Sequence, residues 1–136
     1  NNNAVANTIA NVTGLSFPVT AGNTYVFEFT IAYTAAATTT GSRWSISGPA
    51  TTILCYTSEY SLAATTTTRN ANNITYDLPA GCNATSAGTT TGNQAVISGI
   101  IRPSANGDVI ARFASEVASS AITAKAGSVC YYQQTL

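Results

Sequence analysis

The chain has no histidine, no methionine, one tryptophan and three cysteines, and only five basic and five acidic residues among 136. Each scarcity removes a class of function. Without histidine the commonest general base is missing, and neither a Ser-His-Asp nor a Cys-His constellation can form. No Cys-x-x-Cys pair compensates, so a structural zinc site is not expected. Charged residues make up 7% of the chain, against ~25% in an ordinary globular domain. No basic stripe exists to neutralise nucleic-acid phosphates, and no basic amphipathic face to lie on a membrane. The five acids, Glu28, Glu59, Asp77, Asp108 and Glu116, show no spacing that sets two across a cleft, as glycoside hydrolysis requires. Phosphate-cradling and calcium-binding loop motifs are absent too. The expectation is a chain that is not an enzyme and carries no metal or cofactor.

What is there is threonine, alanine, serine and asparagine, with a formal net charge of zero. Nothing repels copies of such a chain from one another. This suits either an extracellular β-protein that avoids charge or, as expected here, one whose surface is largely used by other chains. The sequence opens Asn-Asn-Asn rather than with methionine, so a processed product or a piece of a longer polypeptide is expected.

The most regular stretch is Tyr25-Val-Phe-Glu-Phe-Thr-Ile-Ala-Tyr33. Its odd positions are large and apolar and its even positions small or polar. That period of two describes a strand with one buried face. Weaker alternation marks Val12–Val19, with Pro18 suited to an edge, and Ser42–Ser47, with Trp44 and Ile46 on one face. Further strands are expected over Ile53–Tyr56, Asn73–Leu78 and Gln94–Arg102, with a bulge at Gly99. Asp108–Ser115 is expected to follow a hairpin turn at Pro103–Gly107. Ser119–Lys125 and Ser128–Gln134 read as a last pair joined at Ala126-Gly127. Residues 1–11 show no pattern and read as a tail or linker. The prediction is a single all-β domain over 12–136, an antiparallel sandwich of jelly-roll type with about eight strands and little or no helix.

Some residues stand out. Arg43, Arg102 and Arg112 lie in or at the ends of strands. They either pair locally with Glu28, Asp108 or Glu116 or serve a subunit interface, where a guanidinium makes several fixed bonds. Tyr131 and Tyr132 point to opposite faces of one strand, so at least one is exposed or interfacial. Tyr56, Tyr60 and Tyr76 border the Thr/Asn-rich stretch Ala63–Thr91, either anchoring it or offering stacking platforms for a sugar. Cys55 and Cys82 either pair across a loop or remain thiols beside Cys130.

Val12–Tyr25 and Ala35–Pro49, together with Gly99–Gly107, Arg112–Ala118 and Ala124–Ser128, resemble modules in structural proteins of tailed bacteriophages. The closing pattern, an apolar strand, Lys125-Ala-Gly-Ser128 and an aromatic strand, is similar to trimeric jelly-roll heads of the tumour-necrosis-factor and complement type. The resemblance implies a virion protein: a head fibre, capsid decoration protein or tail fibre, exposed on the particle and assembled as a homotrimer. Its partners would be its own copies and other virion proteins such as the capsid, with no nucleic acid and no membrane insertion. The alternative is a fibre tip for host attachment that binds a surface glycan.

Overall fold

The computed structural model describes residues 1–135. Ten strands run as β1 (Asn2–Asn3), β2 (Ala10–Val19), β3 (Tyr25–Ala35), β4 (Ser42–Ser47), β5 (Thr51–Ala63), β6 (Thr66–Asn73), β7 (Asn93–Pro103), β8 (Gly107–Ser115), β9 (Ile122–Ala124) and β10 (Val129–Gln134). They form an antiparallel sandwich. The larger sheet has the order β1-β9-β3-β7-β5-β6, with β10 also on β3, and the smaller has the order β2-β8-β4. The pairs β1·β9, β2·β8 and β3·β7 are nested one inside the next and fall alternately in the two sheets. This is the rolled ribbon of a jelly roll.

The alternation in β3 is what holds the layers together. Tyr25, Phe27, Phe29, Ile31 and Tyr33 are all buried, while Val26, Glu28 and Ala32 stay exposed. Opposite them the smaller sheet supplies Phe17, Trp44, Ile46, Val109 and Phe113. Phe17 meets Phe27 and Phe29 at ring-centroid distances of 5.6 and 5.8 Å, and Trp44 stacks on Phe113 at 5.2 Å. Such contacts add to the gain from burying each ring's area.

Several sequence expectations are corrected. Residues 1–11 are not a tail: β1 pairs with β9, Asn3 is buried, and its amide donates to the carbonyls of Thr8 and Phe113. The strand expected over Asn73–Leu78 lies earlier, as β6. Pro103–Gly107 is not a hairpin turn, because β7 and β8 belong to different sheets and the turn crosses the sandwich. Gly99 makes no bulge. It stays in register between Phe27 and Tyr56, and a Cβ there would come within 2.2 Å of the Cys55 carbonyl oxygen and 2.6 Å of Tyr56 Cβ. Glycine is needed for close packing at this point.

After β6 the chain crosses the outer face of the smaller sheet and returns to β7. This excursion, residues 74–92, roofs β4, which is buried at every position from Ser42 to Ile46. It also caps the β4 edge. Asp77 N–H donates to Ile46 C=O, Asn83 N–H donates to Ser42 C=O, and Ser42 N–H donates to Asn83 Oδ1. Gly41 permits this approach, since a Cβ there would sit 1.7 Å from the Asn83 carbonyl oxygen.

Candidate functional site

The roof takes up half of the residues singled out from the sequence. The Tyr56 hydroxyl accepts from Leu78 N–H at 3.1 Å and faces the carbonyls of Thr75 and Leu78 at 2.9 and 3.0 Å. Tyr60 is equally buried and accepts from the Asn70 amide. Tyr76 is half-buried and donates to Pro49 C=O. Burial raises the Tyr56 pKa and pushes those of Tyr60 and Tyr76 up to about 12. Tyr56 and Tyr60 are therefore anchors under the Thr/Asn-rich stretch and present no ring to a sugar.

The arginines find partners other than those expected. Arg112 on β8 grips both carboxylate oxygens of Asp77, and the buried Arg43 on β4 donates to the Asp77 carbonyl. Arg102 Nε donates to Gly22 C=O. Of the acids expected to pair with them, Glu116 accepts from Gly41 N–H and Glu28 from the Thr30 hydroxyl. Two of the three arginines thus hold the roof down inside one copy.

Cys55, Cys82 and Cys130 are free thiols. Cys55 is exposed on the outer face of the larger sheet, between the inward-facing Leu54 and Tyr56. Cys82 packs against Ala114 C=O under the roof on the opposite side. Sheets pack ~10 Å apart, beyond the ~7 Å that a disulfide can bridge between Cα atoms. The two do not pair.

What remains exposed is β10. The expected β9–β10 hairpin is instead one interrupted strand running along β3. Paired residue numbers sum to 157 through β9 (Tyr33↔Ala124) and to 159 through β10 (Thr30↔Val129). Ala126-Gly127 is the two-residue insertion, with Gly127 at φ +91°. Ser128 pins it, its hydroxyl accepting from Ala32 N–H and donating to Lys125 C=O.

The hydrogen-bond alternation then follows. Thr135 N–H donates to Thr24 C=O. In an antiparallel ladder bonded pairs alternate with unbonded ones, so Val129, Tyr131 and Gln133 bond to β3. Cys130, Tyr132 and Gln134 aim their N–H and C=O groups away from it. Along β9 the same outward groups are used: Ala124 N–H donates to Asn1 C=O. Along β10 they have no partner among the described residues.

Comparison with protein-family models, curated proteins and solved structures finds no match.

The β10 edge is apolar and aromatic. Tyr131 is 68% exposed, opposite Glu28 on the outer face, and Tyr132 is 48% exposed, opposite Phe27. The expected opposition of the two rings is present. Tyr132 lies flat on Phe17 at 4.6 Å, which ties the strand to the core. Val26, Phe27, Glu28, Tyr131, Tyr132 and Gln133 line a shallow groove of about 390 Å³. No sequence signal could separate this edge from a buried strand, because exposure depends on which strand lies beside it.

Proposed function

We propose that this chain is a non-enzymatic structural domain of a bacteriophage virion that works by associating with copies of itself on the particle surface. The observation that carries the self-association is the β10 edge, with unpaired main-chain groups flanked by exposed Tyr131 and Tyr132. Burying aromatic surface against a like surface is the usual source of affinity in such contacts. The virion setting is supported by the resemblance of Val12–Tyr25, Ala35–Pro49 and Gly99–Gly107 to phage structural modules, and by the jelly-roll pairing which that resemblance implies. The trimer implied by the same resemblance would need a second contact surface besides the β10 edge.

The alternative, host attachment through a surface glycan, moves away from the Thr/Asn-rich stretch, whose Tyr56 and Tyr60 are buried. Its support is now the groove, where Tyr131 offers a ring beside Glu28 and Gln133. Native mass at micromolar concentration, with and without reductant, tests the first reading. A reductant-independent oligomer is expected. A monomer at all concentrations, together with binding in a glycan screen, would replace it with the alternative.

A further inference from the structure

Sheet edges invite pairing with other chains unless something blunts them, and among the described residues every edge but one is short, broken, capped or charged. β1 is two residues long. β2 carries Pro18 and a register break between Asn11 and Ser16, around Gly14 at φ +79°. β4 is capped by Asp77 and Asn83. β6 carries the charge of Arg69, drawn to Glu59 at 3.7 Å, and no apolar side chain larger than Ala71. β10 has no proline, no charge and no break, and its exposed side chains include two tyrosines.

We infer that β10 pairs with β10 of a second copy about a two-fold axis, making one continuous sheet through both molecules. The inference rests on the self-association reading above and specifies its contact. The symmetry follows from the count of edges. A ring of copies joined edge to edge needs two different open edges on each subunit, whereas a single open edge can meet only itself. Charge agrees with this. The net charge is zero and Ser128–Thr135 contains no charged residue, so two copies bring no repulsion to the seam.

The ladder also sets the register. Outward-facing residues must meet outward-facing residues, and pairing along the whole of Ser128–Gln134 places Cys130 of one copy opposite Tyr132 of the other. Tyr131 then lies on the axis beside its own counterpart. That is an unbonded pair, with Cα atoms ~4.5 Å apart and side chains in contact. An aromatic side chain buries ~150–250 Å², so the exposed parts of the four tyrosines supply on the order of 450 Å² of the ~1,200 Å² in a stable interface. Val26, Val129, Gln133 and the main chain add to this, and the dimer is expected to depend on concentration.

The test is a cross-link at the axis. Tyr131→Cys is made with Cys55→Ser, Cys82→Ala and Cys130→Ala, folding is checked by thermal melt, and oxidised glutathione is added. Two thiols ~4.5 Å apart at Cα lie within disulfide reach, so nearly complete conversion to a covalent dimer is expected. Tyr131→Lys, with the natural cysteines kept, sets two ammonium groups at the axis and should weaken dimerisation at least tenfold by light scattering. An oligomer that neither cross-links through position 131 nor responds to Tyr131→Lys would overturn the inference and leave self-association standing. A monomer would remove both.

Discussion

Arg112 Nη1 donates to both carboxylate oxygens of Asp77, at 2.7 and 2.8 Å, across 35 residues of sequence. The charge-assisted contact is short, and Arg112 Nη2 adds a bond to the Ile9 carbonyl at 3.4 Å. The pair therefore sets where the roof lies on the smaller sheet. Asp77→Ala should cost about 1–3 kcal/mol, because Asp77 is partly exposed and Arg112 mostly shielded. Amide exchange over Ile74–Gly92 should accelerate and the urea midpoint fall. Unchanged exchange there would mean that the pair does not anchor the roof.

Gly41→Ala should be more damaging than its single methyl suggests. The new Cβ meets a main-chain carbonyl at 1.7 Å, so the Asn83 backbone must retreat and its bonds to Ser42 lengthen. Overpacking of this kind costs about 1–3 kcal/mol. Gly81→Ala, which has open space, serves as the control and should stay within about 0.5 kcal/mol. Equal melting temperatures for the two variants would refute the close approach.

Phe29→Asp should abolish folding. Phe29 is fully buried at the middle of β3 and packs against Phe17 and Phe27, and an unpaired carboxylate there has no way to be solvated. Soluble, cooperatively melting variant protein would contradict this.

Alkaline pH should unfold the domain. Burial raises the pKa of Tyr33 and Tyr56 above 10.0 and pushes Tyr60 to about 12. An unfolded tyrosine ionises near pH 10, so the stability these groups hold is complete below pH 10 and is lost as pH climbs towards the folded values. Tyr60 alone accounts for on the order of 2–3 kcal/mol. Tyr25 opposes the trend, because the Thr20 N–H donates to its oxygen and lowers its pKa. Urea midpoints should fall between pH 10 and 12, and Tyr60→Phe should flatten the fall.

Thiol chemistry should distinguish the cysteines. Cys55 is exposed, whereas burial pushes the Cys82 and Cys130 thiols up to about 11. The thiolate is the reactive form, so iodoacetamide should modify Cys55 first in native protein and all three after denaturation. Fewer than three modifications under denaturing conditions without reductant would reveal a disulfide.

The strands easiest to read in the sequence were those whose two faces have different surroundings. β3 shows Tyr25 to Tyr33 inward and Val26, Glu28 and Ala32 outward, and its period of two is a direct print of that asymmetry. β2 and β8 show it more weakly. β6 was missed because most of it faces water on both sides, so nothing in Thr66–Asn73 needs to alternate. Ile74, Tyr76 and Leu78 do alternate, yet Ile74 is 68% exposed while Tyr76 and Leu78 pack from the roof against the core. The Ala126-Gly127 turn was legible, but whether the chain reverses there or continues depends on β3, nearly a hundred residues upstream. The arginine partners were hidden for a related reason. Nothing local says that Asp77 will be carried over β4 to meet Arg43 and Arg112.

The roof also imposes an order in time. Asp77 emerges from synthesis before β8 exists, and its carboxylate has no guanidinium from Arg112 to hold until the chain has grown 35 residues further. Asn83 can reach Ser42 early, but the strand beneath, β4, has no neighbour in its own sheet until Trp44 and Ser45 line up with Phe113 and Arg112. The grip on the Asp77 carboxylate must therefore wait for the end of the chain: an intermediate that stops short of residue 107 offers residues 74–92 their contacts with Arg43, Pro49 and Tyr56 but not the one with Arg112.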